Sequence, residues 1–174
     1  LTKVNSYHLN NEHKRVDEYI QMLVNGSTVS LITDAGTPCI SDPGFLLIRE
    51  SIKKNITITC LPGPTAFVPA LVMSGLPSDS FIFEGFLPKK KGRKSKLNEI
   101  SKNTKTTILY EAPFRIIKTL SDMKDTIGSD RKIAVVREIS KIYEEVFRGT
   151  IEEAILEYNE RTIKGEFVIC IDKA

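Results

Sequence analysis

Thr33-Asp34-Ala35-Gly36-Thr37-Pro38-Cys39-Ile40-Ser41-Asp42-Pro43-Gly44 lies between two apolar runs, Val29-Ser30-Leu31-Ile32 before it and Phe45-Leu46-Leu47-Ile48 after it. The first run is short and partly β-branched, so it reads as a buried strand of a parallel sheet. The second reads as the buried face of a helix opened by Pro43 and capped by Ser41 or Asp42. A strand, a loop of small residues and a helix form an α/β unit. Open α/β sheets take their ligands in the crevice outside the carboxyl ends of the strands, where Asp34 would stand. Ala35 and Gly36 carry no bulky side chain and let a ligand approach the backbone. Turns favour Gly, Pro, Asp and Thr for conformational reasons as well. One such loop is therefore compatible with a ligand site or with a plain connection.

A second loop of the same kind favours the site. Ile56-Thr57-Ile58-Thr59-Cys60-Leu61 reads as another strand and ends in Pro62-Gly63-Pro64-Thr65-Ala66, after which an apolar segment runs to Ser74 and stops at Gly75. Upstream, Val16, Tyr19, Ile20 and Leu23 share one face of a helix predicted from about Asn11 to Asn25, ended by Gly26. Two strands make an unusually small parallel sheet, and the sequence opens on Leu1. Further strands are therefore expected to precede it.

Leu76-Pro77-Ser78-Asp79 reads as a linker, giving two expected domains, residues 1–77 and 78–174. In the second, Phe81-Ile82-Phe83 begins a strand, a helix runs through Leu97 and Ile100, and Thr106 to Tyr110 forms a strand. Its end, Glu111-Ala112-Pro113-Phe114-Arg115, opens a helix at a proline that Gly128 closes. Lys132 to Arg137 and Tyr143 to Phe147 read as strands, Thr150 with Glu153 as a capping box, and Glu166 to Ile171 as the last strand. The fold class is α/β, the second domain carrying a mixed sheet that faces the first across a cleft.

With 174 residues, 41% of them hydrophobic, the chain can bury a real core. It contains no apolar run long enough to span a bilayer and no signal-peptide pattern, so a soluble protein is expected and no membrane partner. Cys39, Cys60 and Cys170 are odd in number and lack metal-ligand spacing, so neither disulfide nor metal is expected, and the setting is cytoplasmic. His8 and His13 are not at the helical spacing for two ligands on one face and read as surface residues. The formal net charge is only +3, yet Lys89, Lys90, Lys91, Arg93, Lys94 and Lys96 crowd one segment after Leu87-Pro88. Such a cluster is either a solvated loop or a phosphate-attracting surface.

Several motifs, in order, resemble the ribosomal small-subunit RNA cytidine 2′-O-methyltransferases of bacteria. They are Asp34 to Pro38 with Ser41 to Gly44, Pro62 to Ala66, Leu76 to Asp79, Glu84-Gly85-Phe86-Leu87-Pro88, Tyr110 to Arg115, Arg137-Glu138-Ile139-Ser140-Lys141 and Gly165-Glu166. The resemblance spans essentially the whole chain. Thr33 stands where serine is usual, Ser140 where threonine is usual, and Cys39 at a variable position. Family members carry an amino-terminal segment with a Pro-Thr-Pro-Ile-Gly-Asn-Leu motif and a carboxyl-terminal helical extension, so the sequence is expected to be a fragment.

That family belongs to the tetrapyrrole methylase superfamily, whose resemblance implies two α/β domains with S-adenosylmethionine bound in the cleft between them. By matching motif, Thr33, Asp34, Ala35, Gly36, Thr37 and Pro38, with Pro62, Gly63, Thr65 and Ala66, would touch the methionine and ribose parts of the cofactor. Tyr110, Glu111 and Glu166 would line its adenine side. Thr65 can donate its hydroxyl and backbone amide to the cofactor carboxylate, and a nearby acid offsets the sulfonium charge, which is costly to bury alone. The implied reaction is an in-line displacement in which the ribose 2′-oxygen takes the methyl group and S-adenosylhomocysteine leaves, so alignment is the protein's main task. Asp34 is the first candidate base and Glu111 the second. A ribosomal substrate gives the lysine-rich segment, residues 89–96, an RNA-binding role. It also makes Arg115, Arg137 and Lys141 candidates for phosphate contact, with surface salt bridges as the alternative for each. The family also leads to an expected homodimer. Two other readings remain: a superfamily methyltransferase acting on a tetrapyrrole or a protein side chain, and a non-catalytic module that binds RNA or cofactor.

Overall fold

The helical recurrence of Val16, Tyr19 and Ile20 is obeyed: α1 spans Glu12–Val24 and buries those residues. The computed structural model describes residues 4–174 and divides between Thr65 and Ala66 into two compact units.

In the first unit α1 packs on α2, Phe45–Lys53, whose Leu47 completes a small core with Val16, Tyr19 and Ile20. Tyr7 meets Tyr19 edge to face, ring centroids 5.7 Å apart. Two expectations are corrected here. Residues 29–32 and 56–61 are not strands: neither joins a ladder among the described residues, and Ile32 and Leu61 stand 79% and 81% exposed. A pair of parallel segments has too few backbone bonds to hold as a sheet without further strands beside it. Nor does α2 begin at Pro43. It begins after Gly44, whose φ of +133° lies where only glycine sits easily, and no side chain among the described residues caps it. Asp42 is instead engaged by Thr33, whose hydroxyl donates to it over 2.9 Å.

The second unit is built on one mixed five-stranded sheet. Its strands are β1 (Phe81–Phe86), β2 (Thr106–Glu111), β3 (Lys132–Arg137), β4 (Glu145–Thr150) and β5 (Phe167–Ile171), in the order β1-β2-β5-β3-β4. Only the β1–β2 pair is parallel. Alternation along the strands makes two apolar faces. Leu109, Ile133, Val135, Phe167, Ile169 and Ile171 face α4 (Arg93–Ile100), α5 (Ile116–Ile127) and α6 (Ile151–Asn159). On the other face Ile108, Ala134, Val136, Val168 and Cys170 pack under Ala70 and Leu71 of α3, Phe67–Ser74. The Thr150–Glu153 capping box is present on α6, and Gly128 follows α5. Pro113 opens a short 3-10 turn, Pro113–Arg115, rather than α5 itself.

The units divide upstream of the linker read at Leu76–Asp79, because α3 is fastened to the sheet. Its Met73 carbonyl accepts from Arg148 of β4 over 2.8 Å, and the Pro77 carbonyl accepts from Thr106 of β2 over 2.7 Å. No helix among the described residues is long and apolar enough to cross a membrane.

Candidate active site

In the first unit the two small-residue loops meet. The Thr37 hydroxyl donates to the Pro64 carbonyl over 2.9 Å. A Cβ on Gly36 would lie 3.8 Å from that same carbonyl, and one on Gly63 would lie 3.6 Å from the Thr37 hydroxyl oxygen. The longer loop is held in an unusual shape: Gly36, Cys39, Ser41 and Gly44 all have positive φ, at 78°, 72°, 60° and 133°. Left-handed non-glycine residues store strain and cluster at functional sites. Gly44 joins its positive φ to close packing, since a Cβ there would sit 2.6 Å from both Cys39 Sγ and Leu31 Cδ2 and those side chains would have to shift. On this scaffold Asp34, Ala35 and Gly36 are exposed, and the Asp34 carboxylate has no hydrogen bond or ion pair among the described residues.

In the second unit Tyr110 and Glu111 are neighbours in β2 that point to opposite faces of the sheet. Tyr110 lies on the α3 side, where its hydroxyl accepts from the Phe67 backbone N–H over 3.3 Å. Glu111 faces α5 and is 2% exposed. Its carboxylate accepts from Arg115 over 2.6 Å, from the Thr119 hydroxyl over 2.6 Å and from the Ala112 N–H over 2.8 Å. Thr119 in turn accepts from Arg93 over 2.7 Å, and Arg93 pairs with Asp122 over 2.7 Å. Burial alone would lift the Asp122 carboxyl, but hydrogen bonds from Arg93 and Lys118 outweigh it and hold the group below its ordinary value. The two candidate bases thus differ in setting: Asp34 is exposed, whereas Glu111 is buried and bonded on three sides.

The basic candidates divide the same way. Arg93 is 7% exposed, and Arg115 is spent on Glu111. Lys96 pairs with Glu99 and Glu84, which keep its ammonium charged to higher pH. Arg137 donates to the Lys164 carbonyl over 2.6 Å and pairs with Glu145. Lys141 bridges Glu138 and Glu166, each at 3.0 Å. Lys89, Lys90, Lys91 and Lys94 are exposed and carry no ion pair among the described residues.

Sequence reasoning missed Thr119, Asp122 and Glu138 as site supports. Glu138 has a φ of +50°, and its carboxylate accepts from the Glu166 N–H over 2.9 Å. That bond, then Lys141, holds the Glu138 carboxyl below its usual range. A Cβ on Gly165 would lie 2.5 Å from the Glu138 side chain, which is the local reason for the Gly165-Glu166 pair. Cys39, Cys60 and Cys170 are free thiols, and burial pushes that of Cys170 up to about 12. Among the described residues no three His, Cys, Asp or Glu side chains gather as a metal-holding group.

The sequence matches the tetrapyrrole (corrin/porphyrin) methylases over residues 2–155. The chain belongs to the tetrapyrrole methylase family. Among relatives of this methylase chain, the ribosomal RNA small subunit methyltransferase I of Synechocystis is 43% identical over 95% of it. The protein of the same name from Halalkalibacterium halodurans is 44% identical over 98% of the chain. The chain spans 60% and 59% of the length of those two. The Thermotoga maritima relative, also of that name, is 37% identical over 95% of the chain, which spans 74% of its length. Solved structures of the methylase fold match as well. The methyltransferase CobJ aligns with a TM-score of 0.69 at 17% identity, covering 99% of this chain and 74% of its own. The uroporphyrin-III C-methyl transferase from Thermus thermophilus, complexed with S-adenosyl homocysteine, aligns at 0.62 and 16%, covering 94% and 74%.

Proposed function

We propose that this chain is the core of an S-adenosylmethionine-dependent methyltransferase that methylates the ribose 2′-oxygen of a cytidine in small-subunit ribosomal RNA. The observation that carries the reading is the identity of 37–44% to relatives named for ribosomal RNA small subunit methylation, along nearly the whole chain. We place the enzyme in the cytoplasm, as a homodimer.

The residues present fit the cofactor. Ala35, Gly36 and Gly63 leave backbone uncovered where the two loops meet, which suits close approach of a flat or extended ligand. Asp34 offers an exposed carboxylate, unpaired among the described residues, the charge complement of a sulfonium. Thr65 and the Ala66 amide would hold the cofactor carboxylate, and Tyr110 its adenine. When bound, the cofactor supplies a methyl group on a good leaving group. Asp34 would accept the proton of the 2′-hydroxyl as that oxygen takes the methyl group. Glu111 acts at one remove, fixing Arg115 and Thr119. Exposed Lys89, Lys90, Lys91 and Lys94 form the approach surface for RNA phosphates.

The test is transfer of labelled methyl from S-adenosylmethionine to unmodified small ribosomal subunits by the full-length protein, with Asp34→Ala beside it. Label on one cytidine 2′-oxygen, lost in the variant, is the expected result. Saturable S-adenosylhomocysteine binding without any labelled ribosomal RNA would overturn the acceptor and point to a tetrapyrrole or a protein. If the full-length protein binds RNA but no S-adenosylhomocysteine, it is not a methyltransferase.

A further inference from the structure

Phe86 stands at the carboxyl end of β1 because the strand carries an extra residue. The register pairs Phe83 with Ile108 but Gly85 with Leu109, leaving Glu84 as the bulge, and Gly85 takes a φ of +63°. In an unbroken strand, alternation from Phe83 would put Gly85 on the Tyr110 side and turn Phe86 toward α4 and α5. The bulge reverses this. Phe86 pairs with Tyr110 on the α3 face, while Leu87 drops into the core on the other side, 3% exposed. Bulges beside functional sites re-aim side chains in this way.

The ring is held and yet open. Tyr110 is flanked by Phe83 at 4.9 Å and Phe86 at 5.7 Å between centroids, both at steep angles. Whichever ring supplies the edge in the second contact, at least one face of Phe86 stays uncovered by Tyr110, and the residue is 51% exposed. Three residues further on come Lys89, Lys90 and Lys91, exposed and without an ion pair among the described residues, with Lys94 beyond them. Arg93 anchors the far side of this turn through Pro88, Thr119 and Asp122, so the lysines extend from a fixed base.

A half-exposed aromatic ring followed closely in sequence by cations without ion pairs among the described residues is a combination by which proteins hold single-stranded nucleic acid, bases on the ring and phosphates on the charges. S-adenosylmethionine carries no phosphate, and its single carboxylate is assigned above to Thr65 and Ala66, so four lysines exceed what the cofactor could engage. We propose that Phe86 is a stacking platform for an unpaired base of the RNA substrate, acting with Lys89, Lys90, Lys91 and Lys94 as one single-strand-binding surface. The inference rests on the RNA reading of the preceding section and adds to it the state of the substrate, unpaired at this point, and the residue that engages it.

The test is fluorescence anisotropy of a labelled, unstructured pyrimidine oligoribonucleotide binding to the full-length protein, with S-adenosylhomocysteine affinity measured in parallel. Phe86→Ala should weaken RNA binding about tenfold and leave S-adenosylhomocysteine affinity unchanged. Phe86→Leu should lose as much as alanine, because it keeps the apolar bulk without the π face, and Phe86→Trp should restore binding. Equal RNA affinity for Phe86→Leu and the unaltered protein would reduce the ring to packing and overturn the proposal. So would loss of S-adenosylhomocysteine rather than RNA in Phe86→Ala, which would assign the ring to adenine. In either case Lys89→Ala with Lys90→Ala and Lys91→Ala still reports on the RNA reading. If the unaltered protein binds no RNA, both fall together.

Discussion

Arg93 and Lys94 are adjacent cations with opposite employment. The Arg93 guanidinium is buried against Asp122, Thr119 and the Pro88 carbonyl, whereas Lys94 is exposed and unpaired among the described residues. Removing one partner of a buried, hydrogen-bonded pair strands the other, at about 3 kcal/mol. Arg93→Ala should therefore lower the melting temperature by roughly 6–12 °C in a chain of this size, while Lys94→Ala should move it by about 1 °C. Differential scanning fluorimetry of the two variants checks this, and equal shifts would contradict it. The Asp122 partner adds a pH signature. Its carboxyl is held below the ordinary 3.8 in the folded protein, so the stability it brings is complete above that value and drains away as pH falls through the folded value. The melting-temperature gap between the unaltered protein and Asp122→Asn should thus be widest near neutrality and close below about pH 4. A gap that persists there would mean that shape, not charge, is what asparagine disturbs.

Elements whose partners lie close in sequence were legible, and those that depend on distant packing were not. Lys132 to Arg137 could be read as a strand, and Thr150 with Glu153 as a cap, because alternation and a three-residue spacing are local signals. The segments at 29–32 and 56–61 carry the same apolar signal without a ladder to join, so composition overstated them. Nothing in Phe81-Ile82-Phe83-Glu84-Gly85-Phe86 tells which residue will be surplus, and so the bulge that aims Phe86 was invisible. Glu111 could be read as a candidate site residue because its motif sits at a strand end, but its surroundings could not. Its partner Thr119 comes from the next helix and becomes visible only once helix and sheet are packed. The Asp34–Gly44 loop was the most legible part of the site, and its shape supports a sharp expectation. A Cβ at Gly44 meets two atoms at 2.6 Å in a backbone conformation that side chains avoid. Gly44→Ala should cost about 1–3 kcal/mol and weaken S-adenosylhomocysteine binding along with it. Calorimetric titration together with a melting curve would show both, and an unaltered affinity would detach the loop's shape from the cofactor.

Across the whole molecule the formal net charge is only +3, so any attraction to RNA must come from where charge is left unneutralised. Arg137 and Lys141 already face Glu145, Glu138 and Glu166, and a phosphate there would have to compete with carboxylates. Lys89, Lys90, Lys91 and Lys94 have no such competitor among the described residues. Each phosphate neutralised on a single strand releases condensed counterions and adds about 0.7 to the steepness with which log affinity falls against log salt. Converting those four lysines to glutamine should flatten the slope by roughly 3. Removing Arg137 or Lys141 also lowers net charge, yet it frees a carboxylate rather than vacating a phosphate site, so the slope should stay where it was. Anisotropy titrations of one oligoribonucleotide at several potassium chloride concentrations distinguish the two kinds of cation. An equal flattening by Arg137→Gln would show that total charge, and not this one loop, governs the approach of RNA.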